Sequence, residues 1–121
     1  MIKTSELIWQ DTQHQMLFRL IDEIRQEPFQ TRVLVDLQIY AEQHFALEEA
    51  YMEALEYPSM FNHVSAHDRF RKELMQLTER PDEMSMAVRQ SLSLFLEEWL
   101  KRHIFGVDKD FEQFVLQSGQ K

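Results

Sequence analysis

A chain of 121 residues has room for a single domain, 1–121, and not for two comfortable ones. Two glycines and three prolines, in a chain 44% hydrophobic and 28% charged, argue for a few long helices rather than strands and turns. A formal charge of -8 disfavours nucleic acid as a partner, and no apolar run or basic-then-apolar leader suggests a membrane span or a signal peptide. The absence of cysteine removes disulfides, thiolate catalysis and Cys-based zinc or iron–sulfur sites, and fits a reducing, cytoplasmic setting.

The first predicted helix, over 10–27, offers His14, Leu17, Phe18 and Ile21 on one face before Pro28 closes it. The second, over 31–56, runs through Leu34, Leu37, Ala41, His44, Glu48, Tyr51 and Leu55 to the Tyr57-Pro58-Ser59 turn. The third, over 60–79, carries Met60, His63, His67, Phe70, Leu74 and Leu77 and ends at Arg80-Pro81-Asp82. Ser59 and Asp82, each just after a proline, are expected N-caps. The fourth, over 83–104, presents Val88, Leu92, Leu96, Trp99 and His103, flanked by Phe95 and Leu100. Gly106, after the basic Lys101-Arg102 pair, is expected to interrupt that helix, with a short helix or turn beyond it and a polar tail at 117–121. Spacings of three and four in four segments joined by short turns predict an all-α, up-down-up-down four-helix bundle. Seven methionines fit as fillers of the core, and Glu49, Glu53 and Glu56 as a solvated helix face.

All five histidines fall on the stripes that the helices should bury. One alone would be a core histidine satisfied by a single hydrogen bond. Five, with Glu48, would each cost about 1–3 kcal/mol if unpaired, and a buried metal centre satisfies them together. His44 and Glu48, like His63 and His67, are four apart and therefore within about 40° on a helix face. His103 and Asp108 are five apart, which an unbroken α-helix would splay by about 140°; a break at Gly106 is the expected remedy. Glu49 lies about 140° from His44 and is expected to face solvent or to support the site from outside. Five imidazole nitrogens, four oxygens of two bridging carboxylates, and one bridging oxide or hydroxide counted for each metal make eleven bonds. Two octahedral metals take twelve, which leaves one open position and suits iron or another redox metal better than tetrahedral zinc.

The stretches Asp11-Thr12-Gln13-His14, His44-Phe45-Ala46-Leu47-Glu48-Glu49, Tyr57-Pro58, His63-Val64-Ser65-Ala66-His67 and Trp99-Leu100-Lys101-Arg102-His103 running to Asp108 resemble the hemerythrin family in its bacterial form. The resemblance covers essentially the whole chain. It implies a non-haem centre of two Fe ions with a bridging oxo or hydroxo group, binding O2 reversibly as peroxide. It assigns His63, His67 and His103 to one iron, His14 and His44 to the other, and Glu48 and Asp108 to bridges between them. It places the open position on the iron with two histidines, and puts Leu17, Phe45, Trp99, Leu100 and Ile104 around the O2 pocket, with Leu100 as guard. Its functional implication is an O2 carrier, store or sensor rather than an enzyme. The alternatives are a di-iron enzyme acting on peroxide or nitric oxide, or the input domain of a larger signalling protein with an output domain or partner. Only thirteen residues precede His14, fewer than bacterial members usually carry, and easier access of water and protons at the His14 end would favour autoxidation.

Overall fold

The computed structural model describes residues 3–80 and 84–118. Helices α1 (Ile8–Glu23), α2 (Arg32–Ala54), α3 (Met60–Leu77) and α4 (Met86–His103) form the bundle. A π-helical turn, Ile104–Asp108, then leads into α5, Lys109–Ser118. No strand occurs among the described residues. The chain is an all-α four-helix bundle with an additional C-terminal helix.

Of the helix ends that lie inward of their expected places, three have identifiable reasons. α1 stops at Glu23 rather than at 27, because the amides of Ile24, Arg25 and Gln26 tighten onto the carbonyls of Ile21, Asp22 and Glu23. The carbonyls freed there are not orphaned: Arg89 Nη1 donates to Ile24 O at 3.1 Å and Gln26 O at 3.2 Å. α2 ends at Ala54 with Glu56 at φ 54°, the left-handed position that usually falls to glycine, and Tyr57 N donates back to Met52 O at 2.9 Å. α4 starts at Met86, where Ser85 Oγ accepts from Val88 N at 3.2 Å. The Asp82 cap lies outside the described residues, as do Gly119, Gln120 and Lys121 of the expected tail. Ser59 stands at the cap position of α3, but its side chain makes no capping bond.

The predicted stripes are buried at most positions. Met52 takes the interior place beyond Glu48, leaving Tyr51 and Leu55 half-buried. On α4 the stripe begins at Arg89, buried across the end of α1; Val88 and Phe95 face outward at 50% and 41% exposure. Gly106 does not break the helix. The chain continues through the π turn, and a Cβ added at Gly106 would meet nothing within 4 Å. Closure between residues five apart stacks His103 over Asp108 much as an α-helix stacks residues four apart, so an extra residue in the turn replaces the expected break.

The interior divides into two apolar clusters. The larger joins, among others, Leu17, Leu37, Phe45, Phe70, Leu96, Leu100 and Ile104; the smaller joins Leu7, Met52, Tyr57, Phe111 and Val115. Along every helix the histidines and their carboxylates lie between the two, as a buried polar layer across the bundle.

Candidate metal centre

His14 comes from α1, His44 and Glu48 from α2, His63 and His67 from α3, His103 from the end of α4, and Asp108 from the end of the π turn. None is more than 6% exposed. Their inward atoms form two overlapping groups, in each of which all lie within 4.8 Å of one another. One comprises Glu48, His63, His67, His103 and Asp108; the other comprises His14, His44, Glu48 and Asp108. The two carboxylates therefore belong to both groups. Asp108 Oδ1 lies 2.9 Å from His63 Nε2 and 3.0 Å from His103 Nε2, while Oδ2 lies 3.0 Å from His14 Nε2. Glu48 Oε1 is 3.1 Å from His67 Nε2, and Oε2 is 3.6 Å from His44 Nε2.

Close as they are, the five Nε2 atoms, Glu48 Oε1 and both Asp108 oxygens make no hydrogen bond. Eight unsatisfied buried atoms converging on one space would be strongly destabilising in a closed protein core. They are also a donor set of imidazole nitrogen and carboxylate oxygen, and cations would satisfy all of them. The residues fit two cations.

The outer atoms fix this orientation. His67 Nδ1 donates to Glu49 Oε2 at 2.8 Å and His44 Nδ1 to Gln13 Oε1 at 2.6 Å. His14 Nδ1 donates to Thr4 Oγ1 at 2.9 Å, and that hydroxyl in turn donates a hydrogen bond to Asp11 Oδ1 at 2.7 Å. With Nδ1–H committed outward, each of these rings turns an Nε2 lone pair inward. Gln10, fully buried, donates from Nε2 to Glu48 Oε2 at 2.7 Å.

The electrostatics run the same way. Burial and the neighbouring Asp108 charge push the Glu48 carboxyl up, but His63 and His67 outweigh them and hold it below the usual range. Asp108 is likewise held well below its ordinary value, burial being overcome by His103, His14 and His63. Burial takes His44 down to about 4 against the pull of Glu48. Burial also lowers His63, yet the Asp108 and Glu48 carboxylates raise it to about 9. Two carboxylates held towards their ionised form thus sit among the imidazoles in a buried layer.

Of the expected pocket residues, Leu17, Phe45, Leu100 and Ile104 are buried in the larger apolar cluster, and Trp99 packs half-buried against it. Phe45 stacks on His67 at 4.0 Å and Trp99 on His103 at 4.7 Å between ring centroids. An easy path for water to His14 does not match the fold. His14 is 1% exposed, with buried Thr4 bonded to it and buried Ser5, Leu7 and Gln10 close to it in sequence. Thr4 and Gln10 were invisible to pattern reading because nothing local marks them. Gln13 lies within the Asp11-Thr12-Gln13-His14 stretch, where the sequence alone assigns it no role.

A buried layer of imidazoles and carboxylates in a four-helix bundle, able to satisfy two cations at once, defines a helical metal-binding protein. The chain belongs to the hemerythrin family: residues 8–115 match the family described as the hemerythrin HHE cation binding domain. It is 32% identical over 81 residues to a bacteriohemerythrin of Clostridium acetobutylicum, covering 65% of this chain and 62% of that one. A bacteriohemerythrin of Ralstonia nicotianae is 30% identical over 80 residues, covering 66% and 58%. A myohemerythrin of Riftia pachyptila is 29% identical over 98 residues, covering 81% and 76%. The chain thus spans less than two thirds of the length of the two bacterial relatives. No described helix is long and apolar enough to cross a membrane.

Proposed function

We propose that residues 1–121 form one hemerythrin-like domain that holds two iron ions and binds O2 reversibly, serving as carrier, store or sensor rather than as an enzyme. The observation that carries this reading is the convergence of eight buried, unbonded nitrogen and oxygen atoms into two groups that share Glu48 and Asp108. His63, His67 and His103 would hold one iron, His14 and His44 the other, and the two carboxylates would bridge them. The pair, with an oxo or hydroxo bridge, would supply the electrons that O2 takes up on binding.

The chain's own side chains prepare that event in three ways. The Nδ1 bonds of His14, His44 and His67 fix their rings before any ligand arrives, so little reorganisation is left to the binding step. With two imidazoles against three, the His14–His44 side would offer its cation fewer donors and would be the side open to a ligand. Leu17, Phe45, Leu100 and Ile104, all buried, line one side of the cluster with apolar surface and would keep water from it. Five imidazoles, neutral once each holds a metal, favour this role over oxidation chemistry, for which helical di-iron enzymes use a carboxylate-rich set.

The test is the visible spectrum of the reduced, iron-loaded protein, recorded before O2, after O2 and after purging. A band that rises with O2 and falls when O2 is removed is expected. Direct passage to a stable oxidised spectrum, with no reversible stage, would overturn the proposal.

A further inference from the structure

The imidazoles are not supported alike. His14 and His44 donate from Nδ1 to neutral oxygens of Thr4 and Gln13, and His63 Nδ1 is buried without a hydrogen-bond partner. His67 Nδ1 instead meets a carboxylate, Glu49 Oε2, at 2.8 Å. Glu49 is itself gripped by Arg71, whose Nη1 lies 3.1 Å from Oε2 and Nη2 3.3 Å from Oε1. The remaining valences of the guanidinium go to Glu42, at 2.7 and 3.1 Å, and to Asp68, at 2.8 Å. Arg71 lies over the ring of Phe45, 5.2 Å from its centroid, and Phe45 stacks on His67. One imidazole of the centre therefore touches an anion that is held by a fixed cation.

We propose that Glu49 and Arg71 act as an opposed pair of positioning residues that sets the reduction potential of the iron held by His63, His67 and His103. The inference rests on the iron reading above. A carboxylate accepting from Nδ1–H makes Nε2 a more electron-rich ligand, and a ferric ion gains more from that than a ferrous one. Glu49 thus lowers the potential of its iron. Arg71 draws charge from the same oxygens through two hydrogen bonds and limits the effect. The His14–His44 side has no such anion on its Nδ1 atoms, so the two irons differ by construction.

Redox titration of the iron-loaded full chain, followed by its visible spectrum after iron has been counted, tests this. Glu49→Gln keeps an oxygen acceptor but removes the charge: the potential should move positive and iron affinity should fall about 10-fold. Arg71→Met keeps an apolar stem over Phe45 and frees the carboxylate: the potential should move negative, without that loss of affinity. Glu42→Gln removes an equal charge from the same arginine without touching the imidazole, and should shift the potential by only a small fraction of the Glu49→Gln change. Side chains that merely brace α2 against α3 would give shifts of one sign and equal iron loss in both variants, and that result overturns the proposal. So does a Glu42→Gln shift as large as that of Glu49→Gln. A parent chain that takes up no iron instead refutes the functional reading beneath it, and is recognised in the first step.

Discussion

Glu48 continues the interior stripe of α2 from His44 and is fully buried, whereas Glu49, about 100° further round the helix, keeps 22% of its side chain in solvent. Glu48→Ala takes one charge and two shared donor atoms from the centre. It is expected to leave at most one cation per chain, while Glu49→Ala keeps two with weaker retention; metal analysis of both purified variants decides it. Retention by Glu48→Ala with loss from Glu49→Ala would mean that the α2 register is not the one described. Leu100, at 2% exposure, belongs to the apolar cluster that adjoins the centre. Leu100→Ala opens a cavity, costs about 2–5 kcal/mol, and should shorten the lifetime of the oxygenated form by admitting water. An unchanged lifetime, timed from the decay of its visible band, would remove Leu100 from the pocket.

At the scale of elements, the sequence was most legible where ligands recur within one helix. HxxxE on α2 and HxxxH on α3 follow directly from 3.6-residue periodicity, and the structure brings all seven proposed ligands into one layer. The partners behind them were not legible. Thr4 reaches His14 across ten residues, Gln13 reaches His44 across 31, and Gln10 reaches Glu48 across 38, and no local spacing encodes contacts between elements. Gly106 misled for a different reason. Its residue type suggested a break, but a helix also accommodates one extra residue by widening to a π turn. Gly106→Ala is therefore expected to keep both cations and to stabilise the fold by about 0.5–1 kcal/mol in urea unfolding. Inserting one alanine after Gly106 would make the His103–Asp108 separation six and rotate the carboxylate away, and should cost cations. A destabilised Gly106→Ala would show that glycine is required there after all.

For the whole molecule, the polar layer is costly without cations and cohesive with them, because it separates two apolar clusters that cannot close over unsatisfied atoms. At free iron about 1,000-fold above its dissociation constant, each bound ion adds about 4 kcal/mol. Chelation should accordingly lower the Tm by about 10 °C or more, read by circular dichroism. The stripped protein should also be acid-sensitive. Burial holds His44 neutral down to about pH 4, whereas its ordinary value is 6.5, so the unfolded chain binds the extra proton between these limits. Stability from this residue is complete above 6.5 and is lost as pH falls towards 4, at about 1 kcal/mol per pH unit at most. His63, raised to about 9, acts in the opposite sense, its contribution being complete below 6.5 and lost on the alkaline side. Urea midpoints at pH 7 and 5 should differ less in metal-free His44→Gln than in the parent chain; equal differences would contradict the buried, neutral imidazole.

If the proposed function holds, one chain carries two irons in the layer defined by His14, His44, Glu48, His63, His67, His103 and Asp108. Native mass spectrometry of anaerobically purified protein, combined with elemental analysis, measures this directly. Two iron ions per chain are expected; a chain carrying one metal, or zinc alone after iron has been supplied, would contradict the proposed centre.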